Sequence, residues 1–103
     1  MKVKNPISLL VNHIAKEVSP KKVILYGSRA RGDARERSDI DLAVVGSIKP
    51  EKWDHLQSWM EENPVTLLPV DLVLLSEASQ NLKKNILQQG IVVYEKKRDS
   101  AKP

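Results

Sequence analysis

A two-layer α/β domain, with helices packed on a small mixed sheet of about four strands, is the fold class this sequence predicts. Three observations lead there. Short apolar runs closed by glycine alternate along the chain with stretches in which apolar residues recur at helical spacing. The 103 residues suffice for one compact domain and are too few for two ordinary ones. A composition of 41% hydrophobic and 29% charged residues lies near the globular average, which excludes disordered and fibrous classes.

The elements follow in order. Asn5 caps a helix with Pro6 at its first position, and Ile7, Leu10, Val11, Ile14 and Val18 fall on one face before Ser19-Pro20 ends it. Val23 to Tyr26 form an apolar run stopped by Gly27, the pattern of a buried strand. A second strand runs from about Asp39 to Val45 and stops at Gly46. Pro50 opens a helix with Trp53, Leu56 and Met60 on its inner face, closing near Asn63-Pro64. Val70 to Leu75 make a third strand. Ser76 then caps a helix that buries Leu82, Ile86 and Leu87 and ends at Gly90, and Ile91 to Tyr94 make a fourth strand. One domain over 1–95 and a charged, disordered tail over 96–103 are expected.

Seventeen Lys and Arg against thirteen Asp and Glu give a net charge of +4, which suits an anionic ligand. Cysteine is absent, so disulfides and thiolate metal sites are excluded. No signal-peptide core or membrane span interrupts the chain, and the cytoplasm is the expected location. Neither His13 nor His55 has a partner at metal-ligand spacing. Trp53 and Trp59 cannot share one buried stripe of their helix, so one of them is either an exposed interface anchor or a ring lying flat on the surface while the other packs.

The stretch GSRARGDARERSDIDLAVV, residues 27–45, carries the chemistry. Strand alternation puts Asp39 and Asp41 on one side and Ile40 and Leu42 on the other. Same-face carboxylates two residues apart lie roughly 6–7 Å from each other, and at an effective dielectric of about 20 they repel by about 2 kcal/mol. Aspartate is also poorly suited to a strand interior. A divalent cation removes the conflict, and magnesium suits a few carboxylate oxygens completed by water and phosphate. Asp71, alone in the apolar run Val70-Asp71-Leu72-Val73-Leu74, supplies a third carboxylate if that strand pairs beside the second.

Gly27-Ser28 follows the first strand where a short helix through Arg29, Ala30 and Arg31 begins, a turn through which backbone amides can meet a phosphate. The spacing from Gly27 to Gly32 fits half a P-loop, but Asp33 and Ala34 stand where Lys and Ser or Thr are required, so a Walker site is excluded. The dinucleotide-binding glycine spacing is absent as well. Arg29 and Arg31 are the candidates for triphosphate contact, while Arg35 and Arg37 read as a solvated surface.

Gly27-Ser28, a spacer of ten residues, Asp39-Ile40-Asp41-Leu42 and a later strand acid at Asp71 resemble the nucleotidyltransferase superfamily related to DNA polymerase β. Within it the stretch is similar to the minimal nucleotidyltransferases of bacteria and archaea, and the likeness runs from residue 7 to ILQQGIVVYE, ending at 95. The resemblance implies a two-layer nucleotidyltransferase fold. It implies that Asp39, Asp41 and Asp71 are catalytic, holding two Mg2+ ions for which Mn2+ can substitute, and that Gly27 and Ser28 bind the nucleotide, with Arg29 and Arg31 beside them. The implied reaction is transfer of AMP from ATP to a hydroxyl. The implied acceptor is a tyrosine of a HEPN-domain toxin, with this chain the antitoxin of a type VII-like pair, in a hetero-oligomer or as a homodimer. The alternatives are an antitoxin that neutralises by binding alone, or transfer to a small molecule. A nucleic-acid-binding role for the arginine loop is disfavoured, since stacking aromatics are few and the acids repel phosphate.

Overall fold

The computed structural model describes residues 6–33, 39–63 and 66–96. The chain runs α1 (Pro6–Val18), β1 (Lys22–Tyr26), α2 (Ser28–Arg31), β2 (Ile40–Val45), α3 (Pro50–Glu62), β3 (Val70–Leu74), a 3₁₀ turn (Leu75–Glu77), α4 (Gln80–Gln89) and β4 (Ile91–Glu95). The sheet order is β3-β2-β1-β4. β1 pairs antiparallel with β2 and with β4, and β2 pairs parallel with β3. The parallel pair requires a crossover, and α3 provides it. This is the predicted mixed four-stranded sheet with helices on it.

Alternation divides the core between the two sheet faces. On one face Leu10, Val11, Ile14 and Val18 of α1 and Leu56 of α3 pack on Val23, Leu25, Ile40, Leu42, Val44 and Leu72. Ile14, Leu42 and Leu56 are fully buried there, each contributing about 1.5–3 kcal/mol by leaving water. The other face carries a smaller cluster of Ile24, Tyr26 and Ala43 under Ile86 of α4. Helix α4 reaches β1 so closely that a Cβ at Gly90 would collide with the Ile24 methyl and the Ile86 carbonyl. Gly90 has ordinary extended geometry, φ −73° and ψ 156°. Close packing, not left-handed backbone, accounts for the glycine that ends α4.

Two details differ from the sequence-based expectation. Ser76 does not cap α4, because it lies in the 3₁₀ turn, and the Ser79 hydroxyl accepts from the Leu82 amide at 3.1 Å instead. The helix consequently starts at Gln80 and its inward face holds Leu82 and Ile86, leaving Leu87 66% exposed. Trp53 packs at the margin of the larger core, whereas Trp59 stacks on His13 with ring centroids 3.4 Å apart. The Asn5 cap, Pro64, Arg35, Arg37 and the tail from 97 onward lie outside the described residues. Among the described residues no helix is long and apolar enough to cross a membrane.

Candidate active site

The smaller sheet face is apolar only where α4 covers it. Beyond the helix, the ends of three adjacent strands place Tyr26, Asp41 and Asp71 in one row, since Tyr26 is in register with Asp41 and Asp41 with Asp71. Asp39 precedes β2 by one residue and is exposed, and Asp41 is half-buried. Ile40 and Leu42, between and after them, are 1% and 0% exposed on the opposite face. The predicted alternation and the predicted pairing of the third strand beside the second are therefore both present.

The three carboxylates interact. Burial, reinforced by the neighbouring charges of Asp71 and Asp39, holds the Asp41 carboxyl above the ordinary range, and the Arg31 guanidinium pulls it partly back. Burial together with Asp71 and Asp41 pushes the Tyr26 hydroxyl up to about 12. A row of like charges on one face carries a negative potential that a cation relieves. Among the described residues no three His, Cys, Asp or Glu side chains converge into a ready-made metal cage. The acids stand as separate oxygens of an open face, a hard donor set that fits Mg2+ when water and phosphate complete its octahedron.

The glycine turn abuts this row. Gly27 has φ 76° and ψ −156°, and a Cβ on it would strike the Asp41 carboxylate. The chain thus passes directly against the second acid, which only glycine permits. Helix α2 begins at Ser28, with the Ala30 and Arg31 amides both donating to the Gly27 carbonyl at 3.1 Å. Gly32 closes it in the left-handed conformation, φ 86°, and its amide donates to the Ser28 carbonyl. The N-cap residue is Gly27, which has no side chain with which to cap this short helix. The Arg31 Nε donates to Asp33 Oδ2 at 3.3 Å in an exposed pair, which steadies the arginine on the loop. Arg29 is half-buried on the same turn.

Gly27, Ser28, Arg29, Arg31, Asp39, Asp41 and Asp71 thus lie at one end of the sheet, with Asp41 against Gly27 and in electrostatic reach of Asp39, Asp71 and Arg31. Tyr26 is the residue that the sequence reading missed: it counts as the end of an apolar strand, 9% exposed, yet it borders two of the acids. The signal was its position, since the residue before Gly27 falls by alternation on the same face as Ile24, and antiparallel pairing sets it opposite Asp41.

Residues 9–99 match the model of the family described as polymerase beta, nucleotidyltransferase. A Methanocaldococcus jannaschii protein, provisionally named a protein adenylyltransferase, is 33% identical over 81 residues, 72% of this chain and 78% of its own. Protein adenylyltransferase MntA of Thermococcus cleftensis is 31% identical over 75 residues, covering 71% of this chain and 74% of its own. Among solved structures, a toxin–antitoxin crystal structure with AMP-PNP matches with a TM-score of 0.62 at 26% identity, over 94% of this chain and 77% of that one. A structure described as a minimal nucleotidyltransferase shares the fold, with a TM-score of 0.62 at 24% identity over 88% of this chain and 98% of its own. With the acids, the glycine turn and the sheet order all in place, the chain belongs to the polymerase beta nucleotidyltransferase family.

Proposed function

We propose that this protein transfers AMP from ATP to a hydroxyl on a partner protein, a tyrosine of a HEPN-domain toxin, and is the antitoxin of that pair in the cytoplasm. The observation that carries the reading is the row Asp41–Asp71 in register on one sheet face, with Gly27 pressed against Asp41. Two relatives named for protein adenylyltransferase activity and a solved toxin–antitoxin relative with AMP-PNP support it.

Each residue has a distinct part. Gly27 and Ser28 receive the triphosphate at the turn, and Arg29 and Arg31 offset its charge. Asp39, Asp41 and Asp71 would hold Mg2+, which supplies charge neutralisation at the α-phosphate and the leaving oxygens. The acceptor oxygen forms its bond to the α-phosphorus while the bridging bond to the β-phosphate breaks, and pyrophosphate leaves with that electron pair. Asp71, exposed at the outer strand, takes the hydroxyl proton.

The test is incubation of the pure protein with α-labelled ATP and magnesium, with and without the product of the neighbouring gene. Label on the partner that vanishes in an Asp39→Asn, Asp41→Asn double variant is expected. A stable complex in which no protein acquires label would replace transfer with neutralisation by binding alone.

A further inference from the structure

Strand β3 is the edge of the sheet on the acid side, with β2 as its single strand neighbour among the described residues. The Ile40 amide donates to the Pro69 carbonyl at 2.9 Å, and Ile40 is in register with Val70. This sets the phase of the parallel ladder: Asp71 and Val73 turn their backbone groups toward β2, and Val70, Leu72 and Leu74 turn theirs outward. Natural edges are commonly blunted by lysine, proline or a bulge. Val70-Asp71-Leu72-Val73-Leu74 has none of these.

Two hollows flank this edge. One, of about 220 Å³, lies along its first half beside Met60, Leu68 and Val70. The other, of about 480 Å³, lies along its second half between Trp53 and Leu82. Glu61 lines the first and Glu77 the second, and among the described residues neither lining includes a lysine or arginine, although the chain carries 17 basic residues against 13 acidic ones. A row of outward backbone amides and carbonyls is recognised by one chemistry, another extended backbone. The acidic, aliphatic walls select one with basic and small apolar side chains.

Resting on the transferase reading, we propose that the acceptor polypeptide binds as an added strand on the free edge of β3, with the modified residue opposite Asp71. Neighbouring strands lie about 4.8 Å apart and directly opposed side chains share a face. A hydroxyl-bearing residue opposite Asp71 therefore projects onto the acid row, one strand from Asp71 and two from Asp41. Its neighbours in sequence project into the Trp53 side of the edge. The substrate class is an extended, basic segment of protein, presented through its backbone, and not a folded surface epitope. Transfer then places AMP on that hydroxyl, with pyrophosphate released and the proton passing to Asp71.

The probe is a synthetic peptide, Lys-Val-Lys-Val-Tyr-Val-Lys-Val-Lys, and the control is the same peptide N-methylated at tyrosine and both adjoining valines. Amide exchange at Leu72 and Leu74, followed by NMR on the full chain, slows at least about tenfold with the probe and is unchanged by the control. With α-labelled ATP and magnesium, the tyrosine of the probe becomes labelled. Leu74 has φ −87° and ψ 124°, close to what proline adopts, so Leu74→Pro removes one outward donor with little backbone change. Leu74→Ala keeps the donor and loses the same side chain. Labelling by Leu74→Pro falls about three- to tenfold below Leu74→Ala, the scale of one backbone hydrogen bond, with equal urea midpoints of the two variants showing that both fold.

Tyrosine labelling without protection of Leu72 and Leu74 overturns the edge proposal and leaves the transferase reading standing. Protection without labelling of the probe overturns the edge's role in presenting the acceptor, and the transferase reading is then decided separately by label on the partner protein. Protection that grows with protein concentration in the absence of peptide assigns the edge to a second copy of the chain and also overturns the proposal.

Discussion

Replacing Gly27 with alanine separates the demands of the backbone from those of the acid row. At φ 76° and ψ −156°, Gly27 occupies a region essentially closed to other residues, and forcing a side chain there costs about 1–3 kcal/mol. For a domain near 100 residues each kcal/mol lowers Tm by roughly 4–8 °C, so a central value of about 2 kcal/mol lowers it by about 8–16 °C. Gly32 is the natural control, with φ 86° and ψ 9° and nothing within 4 Å of where its Cβ would stand. Gly32→Ala costs about 1 kcal/mol for left-handed backbone alone. The Gly27 methyl, in contrast, must displace the Asp41 carboxylate. A shift of about 1 Å in a catalytic group reduces turnover by about a hundredfold. Gly27→Ala therefore loses about two orders of magnitude in AMP transfer measured well below its melting range, while Gly32→Ala retains most of it. Thermal unfolding and labelled transfer on both variants check this. Equal transfer by the two alanine variants would falsify the contact between turn and acid as a determinant of activity.

Asp41→Asn removes the acid whose proton is held above the usual carboxylate range by burial and by Asp71 and Asp39. A raised folded value means that stability is present below the unfolded carboxylate pKa, about 4, and is lost as pH rises through the folded value. In chelator, the variant is thus more stable than the wild type at pH 7, by an advantage that shrinks toward acid, and urea unfolding at several pH values reads the sign; a destabilised variant at pH 7 would refute it. Tyr26 is raised from 10.0 to about 12, so the stability its neutral hydroxyl confers is complete below pH 10 and is lost as pH rises from 10 toward 12. The wild-type minus Tyr26→Phe difference in unfolding free energy falls across that window, and a flat difference would contradict the burial of the ring beside two acids. Ser79→Ala loses the cap on α4 and about 1 kcal/mol, whereas Ser76→Ala changes stability by under about 0.5 kcal/mol, a contrast that urea midpoints resolve.

Most of the candidate site was legible because its logic is local. Two aspartates flanking Ile40 in an apolar strand state their own alternation, and a glycine after an apolar run marks the turn. The same held for the inward stripe of α1, where Leu10, Val11, Ile14 and Val18 are all buried. Local reasoning failed at α4, where Ser76 and Ser79 are both chemically able to cap. The choice fell to the 3₁₀ turn that carries the chain off β3, and Leu87, about 100° round the helix from the buried Ile86, faces solvent.

The sequence by itself determined that three acids at or just before the starts of two strands and a glycine-serine turn exist, since residue type and period-two spacing are properties of the chain. Only the tertiary structure decided that they meet. Parallel pairing of β2 with β3 in a register that sets Asp41 beside Asp71 depends on packing across α3. The approach of Gly27 to Asp41, and of Tyr26 to both acids, depends on antiparallel pairing of β1 with β2. Long-range register is set by burial of a whole sheet face, because a one-residue slip would exchange the acids with Ile40 and Leu42 and turn charge into the core. No short window of sequence contains that comparison; the folded sheet makes it.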